Sequence, residues 1–448
     1  MFCNQCEQVS KGLACTERGV CGKDADVQSL QEILLYGVKG MAAYSHHARR
    51  LGKTDESVNA FIEDALFATV TNVNFDIPSL LALVLECGKV NLRVMQLLDE
   101  GHVEAFGQPK ITEVYEGTKA GPGILVTGHD LLDIKNLLEQ TKGTGVNVYT
   151  HGEMLPAHMY PELSKYPHLA GHFGGAWQKQ KQEFAQFTGP IVATTNCILI
   201  PPEVYKDRLF TLRATAVPGA KKILNDDYAE VIAAAQAASP LASQHVRSST
   251  IGFHHSVLKS VAGPVVEAVK QGKLKRFFVI GGCDGAEVGR NYFAQYAAST
   301  PADTLILTVG CGKFRIRNEN VGTFELPGVG AIPRILDMGQ CNDSYGAIEI
   351  AVALAEAFGC GVNDLPLSIV LSWFEQKAVA VLLTLLHLGV KGIRIGPNPP
   401  AFVSPNVMRI LKETFDLDIV GSNAVEDMEI ASGTRPKKPP VSRLEIVT

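Results

Sequence analysis

The sequence predicts a mixed α and α/β protein: an N-terminal helical bundle followed by two Rossmann-like α/β domains with mostly parallel sheets. Three observations carry this. Apolar residues keep a 3.6-residue period between Asp26 and Glu100. Past Gly107–Pro109 the texture changes to short apolar, β-branched runs alternating with helical stretches, the pattern of α/β layers. Within Lys275–Arg317, the runs Phe277–Ile280 and Thr304–Val309 each lead through glycine to a cysteine, Cys283 and Cys311, with a helix over Glu287–Ala298 between them. Such a strand–helix–strand unit places both thiols at the carboxyl edge of a parallel sheet, where loops diverge and ligands bind.

At 448 residues one core does not suffice, and the expected domains are 1–106, 107–256 and 257–448. A composition 46% hydrophobic and 19% charged is that of an ordinary soluble protein. The net charge of −5 gives no basic footprint for nucleic acid or an anionic membrane surface. The start Met1-Phe2-Cys3-Asn4-Gln5-Cys6 is too polar for a signal peptide, and no apolar run reaches the roughly 18 residues of a membrane span. A cytoplasmic location is expected, where ten cysteines read as thiols or metal ligands rather than disulfides.

Four of the ten crowd into the first 21 residues: Cys3, Cys6, Cys15 and Cys21, interleaved with Gly12, Gly19 and Gly22. Thiolates so close in sequence can chelate one metal centre, and the glycines let the backbone fold around it. Zinc and a [4Fe–4S] cluster both accept four thiolates. The second cysteine pair is spread wider than in a zinc knuckle, which favours the cluster.

Three helices follow. The first carries Leu30, Ile33, Leu34, Val38, Met41 and Ala42 on one face. The second carries Val58, Phe61, Ile62, Ala65, Leu66, Thr69 and Val70 behind a cap at Thr54 or Asp55. The third starts near Pro78 and stops at Gly101, with Cys87 in its core face. Together they form a bundle against the cysteine knuckle. His46 and His47, with Arg49 and Arg50, complement the C-terminus of the first helix.

The strands predicted beyond are Gly123–Thr127, Val146–Thr150, Ile191–Thr195, Phe277–Ile280, Thr304–Val309, Ile335–Met338 and Ser368–Trp373, then Gly392–Ile395 and Leu417–Val420. The first seven lead into His129, Glu153, Cys197, Cys283, Cys311, Cys341 and Glu375. Each has an ordinary explanation alone: Glu153 as a turn residue, Glu375 at a helix start, Cys341 packed beneath a helix. Seven residues able to bind metal at seven equivalent positions make a ligand set the better account. Thiolates select iron–sulfur chemistry, while imidazole and carboxylate suit harder iron with exchangeable oxygen ligands.

These segments resemble the hybrid cluster protein family, the prismane proteins or hydroxylamine reductases, from end to end. MFCNQCEQ, TGHDL around His129, HGEMLPAH around Glu153, TTNC at Cys197, GGCDGA at Cys283, CGKFR at Cys311, GQCND at Cys341 and SWFEQKA around Glu375 match its motifs in order and spacing. The resemblance implies a hybrid [4Fe–2O–2S]-type cluster, at the interface of the domains, held by His129, Glu153, Cys197, Cys283, Cys311, Cys341 and Glu375, with Cys283 as the persulfide position. It implies a [4Fe–4S] cluster on Cys3, Cys6, Cys15 and Cys21, and a lysine, Lys377, near the hybrid cluster. The implied partners are a small nitrogen-oxide substrate and an external electron-donor protein.

The implied reaction is reductive cleavage of hydroxylamine to ammonia and water, with Lys377, Glu153 or Glu375 as proton donor. Nitric oxide reduction and protein S-nitrosylation are implied by parts of the family. One departure is large: the usual member has two helical bundles before the TGHDL histidine, and this chain has room for one, like the shortened class III branch. Related nickel carbon monoxide dehydrogenases are dimers, and a homodimer covering the bared surface is expected. Such a dehydrogenase is itself the nearest rival reading, opposed by the carboxylates of Glu153 and Glu375. A non-catalytic redox or nitric oxide sensor is the other.

Elsewhere, His151, His158, His168 and His172 read chiefly as a surface loop, with one or two lining a channel beside Glu153. His254 and His255 serve a helix N-terminus, and Cys360 is core. Gly328-Val329-Gly330 lacks a phosphate-loop lysine. The tail Arg435–Pro440 reads as an extended surface strap.

Overall fold

The computed structural model describes residues 1–9, 12–373 and 375–436, so most of the proposed tail strap lies outside the described residues. Cys3 and Cys15 pair as a short antiparallel bridge, with N···O distances of 3.1 and 2.8 Å. The bundle helices are α1 (Ala25–Arg50), α2 (Glu56–Ala68) and α3 (Ile77–Phe106). Their caps follow the sequence chemistry: the carboxylates of Asp24, Asp55 and Asp76 accept backbone N–H groups of each first turn. Contrary to the expected stop at Gly101, α3 runs on to Phe106 and ends at Gly107, whose φ is +84°. Gly101 lies inside the helix with Leu51 packed against it: a Cβ there would meet the Leu51 Cβ at 3.1 Å.

The bundle is not closed by these three helices, as expected from sequence, but by a fourth from the far end of the chain. Helix Gln376–His387 docks on α1 and α3, and its Val379, Leu383 and Leu386 share a core with Leu34, Met41, Val84 and Val94. The approach requires glycine on the receiving face. A Cβ on Gly88 would lie 2.0 Å from the Leu383 carbonyl oxygen, and one on Gly40 2.5 Å from that of Gln376. Asn91 Nδ2 donates to Thr384 Oγ1 at 3.0 Å, and that hydroxyl donates to the Gly88 carbonyl at 2.9 Å. Helix α2 buries only Val58, Ala65 and Ala68, leaving Leu66 and Val70 of its predicted apolar face exposed.

The first sheet contains β1 (Thr112–Thr118), β2 (Gly123–Thr127), β3 (Asn147–His151), β4 (Leu169–His172), β5 (Ile191–Ala193), β6 (Leu209–Leu212), β7 (Lys221–Ile223) and β8 (Gln244–Ile251). Their order is β7-β6-β5-β2-β3-β4-β1-β8, parallel except for β1 with β8. The second sheet is wholly parallel, ordered β13-β10-β9-β14-β15-β16. Its strands are β9 (Arg276–Gly282), β10 (Thr304–Thr308), β13 (Ile335–Asp337), β14 (Leu367–Ser372), β15 (Arg394–Gly396) and β16 (Asp418–Ile419). A hairpin of β11 (Thr323–Leu326) and β12 (Gly330–Pro333) stands apart, and its turn holds Gly328. All nine strands predicted from sequence are present; β1, β4, β6, β7, β8 and the hairpin were not predicted.

Asp99 near the end of α3 ties the bundle to the second sheet's side of the molecule. Its two oxygens face His254 Nε2 at 2.8 Å and His255 Nε2 at 3.1 Å. His254 also caps helix His255–Ser260, the role expected of it. Cys87 is core, and Cys360 is half-buried at a core margin.

Candidate metal centre

The topology explains how residues spread over 247 positions, from His129 to Glu375, can share one place. Strands β5, β2 and β3 are consecutive neighbours in the first sheet, and their carboxyl ends lead to Cys197, His129 and Glu153. Strands β13, β10, β9 and β14 are consecutive neighbours in the second, and lead to Cys341, Cys311, Cys283 and Glu375. Parallel strands point the three loops of the first set to one edge of their sheet and the four of the second to one edge of theirs.

Several contacts join the two sets. The ligating atoms of His129, Glu153 and Cys341 lie within 4.8 Å of one another. Glu153 Oε2 accepts the Cys341 backbone N–H at 3.0 Å. Gln340 Nε2 donates to the carbonyls of His129, at 3.0 Å, and Glu153, at 2.6 Å. Thr195 Oγ1 holds both the backbone N–H and the Nδ1 of His129 at 2.9 Å, leaving Nε2 free to ligate. Such a hydrogen bond to the second ring nitrogen is how a metal-binding imidazole is oriented. Cys197 sits at φ +67°, unusual for a residue with a side chain, with Asn196 Nδ2 3.3 Å from its sulfur.

The electrostatics suit a cation held among these residues. Burial pushes Cys283 up to about 12 and Cys341 to about 11, and Cys197 and Cys311 well above the ordinary thiol. Burial likewise raises Glu153, whose Oε1 is sealed from solvent without a hydrogen-bond partner. Burial opposes the charge on His129, and Lys377 lowers it further, leaving the ring neutral as a ligand must be. An orphaned buried carboxylate oxygen is costly, and a metal held by it and by the neighbouring thiols of Cys311 and Cys341 relieves that cost.

Three cationic or polar groups surround this set, two of them, Lys313 and Tyr44, not foreseen as site members. Lys313, 1% exposed, lies 2.9 Å from Asp337 and 3.9 Å from Glu153 Oε1. The sequence contains it in CGKFR, two residues after Cys311, so proximity was its signal. Tyr44, buried in α1, interacts with the Cys341 thiol, and nothing in a helical period marks it. Lys377 was foreseen; its Nζ lies 3.2 Å from Asn196 Oδ1 and 3.9 Å from Glu375. Burial opposes its charge, yet Cys341, Glu375 and Cys197 raise it above an ordinary lysine.

At the N-terminus, Cys3 and Cys15 are buried while Cys6 and Cys21 are exposed. The four sulfurs do not form a group as compact as His129, Glu153 and Cys341 among the described residues; thiolates on a cubane bind separate irons and need not. Lys23, also 1% exposed and not foreseen, places its Nζ 3.6 Å from the Cys3 sulfur and donates to Gln28 and Gln31 at 2.9 and 2.7 Å.

The histidines read as a surface loop are mostly interior. His151 and His172 are fully buried and His158 nearly so, with only His168 half-buried. Thr127, Thr150 and Glu183 supply the partners that make their burial tolerable: Glu183 Oε2 faces His151 Nε2 at 2.9 Å, and Thr150 Oγ1 serves both His158 and His172. His47 reaches past the end of its own helix to Asp130, at 3.1 Å, where Arg50 also binds.

Sheet-edge cysteines, an N-terminal cysteine knuckle and a helical bundle define a class of iron–sulfur oxidoreductases. The chain belongs to the Prismane/CO dehydrogenase family, which it matches over residues 1–81 and 76–429. It is 55% identical over 417 residues to a hydroxylamine reductase of Moorella thermoacetica, covering 93% of this chain and 96% of that protein. It is 56% identical over 405 residues to the hydroxylamine reductase of Rhodospirillum rubrum, covering 90% of this chain but 72% of that protein. The chain thus spans nearly the whole length of the Moorella protein but about three quarters of the Rhodospirillum one. Among solved structures, carbon monoxide dehydrogenase IV from Carboxydothermus hydrogenoformans superposes with a TM-score of 0.78 at 16% identity, covering 96% of this chain and 92% of that one. That likeness is one of fold.

Proposed function

We propose that the protein is an iron–sulfur oxidoreductase that reduces hydroxylamine to ammonia and water, NH2OH + 2e⁻ + 2H⁺ → NH3 + H2O. The observation that carries this is the convergence of four thiols, one imidazole and two carboxylates from neighbouring strand ends, in a chain 55% identical to a hydroxylamine reductase. His129, Glu153, Cys197, Cys283, Cys311, Cys341 and Glu375 are proposed to hold a hybrid [4Fe–2O–2S]-type cluster, with Cys283 as a persulfide. Cys3, Cys6, Cys15 and Cys21 are proposed to hold a [4Fe–4S] cluster. When bound, the hybrid centre supplies electrons and Lewis-acidic iron for N–O cleavage.

The chain's own residues do the rest. Thr195 and Gln340 fix His129 and Glu153, and Lys313 balances the Glu153 carboxylate. Lys377 Nζ, buried against Glu375 and Asn196, holds a proton at the edge of the thiol set. Helix Gln376–His387, seated on Gly40 and Gly88, fixes where that amine stands. The exposed Cys6 and Cys21 put the knuckle within reach of an external electron donor.

No helix among the described residues is long and apolar enough to cross a membrane, which accords with a cytoplasmic location. Phe2, Leu13, Leu66, Phe67 and Val70 are exposed in the N-terminal region, and a homodimer covering that surface is proposed; sedimentation as a monomer at micromolar concentration refutes it. The division at residues 106 and 256 is proposed because the first sheet closes at Ile251 and the second opens at Arg276.

The experiment is iron, nickel and acid-labile sulfide analysis of anaerobically purified protein, followed by hydroxylamine-dependent oxidation of reduced viologen. About eight irons per chain, less sulfide than iron, no nickel and steady turnover are expected. Stoichiometric nickel, or binding without turnover, overturns the reading.

A further inference from the structure

A polar cleft of about 430 Å³ opens between the two sheets. Its inner wall is made of the loops that carry the proposed ligands. Phe314 stands three residues after Cys311, and Asp284 directly follows Cys283; both line the cleft. Gly174 and Gly175 line it too and lie against the β3 end that leads to Glu153: a Cβ on Gly174 would be 2.9 Å from His151 Cδ2, and one on Gly152 3.7 Å from the Gly175 carbonyl oxygen. None of the seven ligands lines the cleft itself, so it ends one layer of residues outside them.

Two buried polar atoms beside this space have no protein partner. His172 is fully buried; Thr150 holds its Nδ1 at 2.9 Å, and its Nε2 is unpartnered. Its ring stacks on Phe314 with centroids 5.6 Å apart and planes 10° from parallel. Arg317 lies over the same Phe314 ring at 4.4 Å and donates from its two terminal nitrogens to Glu116 and the Gly174 carbonyl, while its Nε is buried and unpartnered. An orphaned donor or acceptor in a buried site is costly unless something fills it. The formal charges of the lining cancel: Lys179, Arg247, Arg315 and Arg317 against Glu116, Glu183, Asp284 and Glu319. A balanced, polar wall favours a small neutral molecule that both donates and accepts over an ion of either sign.

We propose that this cleft is the vestibule through which the small neutral N–O substrate reaches the metal centre, with His172 Nε2 and Arg317 Nε as its contacts on the way in. The inference rests on the hydroxylamine reading. The volume is many times that of one water, so the cleft gathers and passes substrate rather than gripping it.

Gly175 offers the test, because its φ lies outside the left-handed region and a Cβ there meets only Glu183 Oε1 at 3.6 Å and Lys179 Cδ at 3.8 Å, both cleft residues. A side chain at this position therefore grows into the cleft. In the holoenzyme, the series Gly175→Ala, Gly175→Leu, Gly175→Phe is expected to raise KM for hydroxylamine progressively, by about 10-fold at phenylalanine, with kcat at saturation little changed. Arg317→Lys, which keeps the charge facing Glu116 but lacks the Nε–H, is expected to raise KM several-fold on the same pattern. Thermal midpoint and iron content, measured on every variant, separate blockage from misfolding; should the phenylalanine variant misfold, the alanine and leucine variants with Arg317→Lys decide. Unchanged KM across the folded variants overturns the vestibule and leaves the reductase reading intact. A wild-type holoenzyme that does not turn over hydroxylamine at all removes that reading first.

Discussion

The two proposed metal sites are built in opposite ways. The knuckle draws its four cysteines from the first 21 residues, on loops, with Cys6 and Cys21 open to solvent. The sheet-edge site draws seven residues from a span of 247, through seven strands of two sheets, and buries His129, Glu153 and Cys311. One is local chelation; the other exists only when the tertiary structure exists. The knuckle is expected to form or fail by itself, whereas any fault in the sheet-edge site is felt by the whole fold.

The largest expected break follows from that separation. Cys341→Ala removes a thiolate where both ligand sets meet, beside Glu153 and His129. Hydroxylamine turnover is expected to fall to background while about four irons, those of the knuckle, remain. Cys6→Ser is the converse: it spares the sheet-edge iron but slows reduction by a protein donor. Iron analysis with paired assays reads both; loss of all iron in Cys341→Ala would show that the sites are not independent.

Lys313→Met comes next. The ammonium sits between Asp337 at 2.9 Å and Glu153 at 3.9 Å, all three nearly sealed from water. Removing one partner of a buried pair strands the other, and a loss of about 3–5 kcal/mol is expected in denaturant unfolding. Double replacement with Asp337→Asn is expected to recover part of it.

A smaller effect distinguishes the regions by pH. Burial lowers His102 and His158 from the ordinary 6.5 to about 4. The folded protein keeps them neutral while the unfolded chain takes up protons below pH 6.5, so stability falls as pH drops toward 4. Between pH 7 and 5 each contributes a loss of about 2 kcal/mol. His158→Gln is expected to flatten the pH dependence of unfolding by that amount, whereas substitutions in the knuckle leave it unaltered. An unchanged slope would mean that His158 is charged in the fold.

The same contrast governs what could be read in the sequence. Local chelation is visible as spacing, so the knuckle could be proposed without knowing the fold. The sheet-edge set was legible because parallel strands convert seven separate chain positions into equivalent ones, so counting strand ends substituted for knowing the topology. What stayed hidden depends on partners that sequence does not pair. Helix Gln376–His387 looked like an ordinary amphipathic helix of the last domain, yet it completes the N-terminal bundle because Gly40 and Gly88 admit it. His151, His158 and His172 looked like loop residues because three buried histidines are intelligible only once Thr127, Thr150 and Glu183 are known to face them.

Lys23 sharpens the comparison at its weak end. Like Lys313 it is buried at 1% exposure beside a cysteine, so burial alone suggests equal importance. The partners say otherwise. Lys313 faces carboxylates, but Lys23 donates to the neutral amide oxygens of Gln28 and Gln31, with the Cys3 sulfur at a longer 3.6 Å. Lys23→Met therefore leaves two amide acceptors, not two charges, and these sit beside a knuckle already open to water through Cys6 and Cys21. The expected cost is about 1.5 kcal/mol, the lower end for a lost hydrogen bond to a charged group. Its clearer signature is redox: with this buried cation gone, the proposed knuckle cluster is harder to reduce, so its midpoint potential shifts negative while that of the sheet-edge site stays put. Equal shifts at both sites would mean that Lys23 acts through the whole fold and that the knuckle is not the local device its spacing implies.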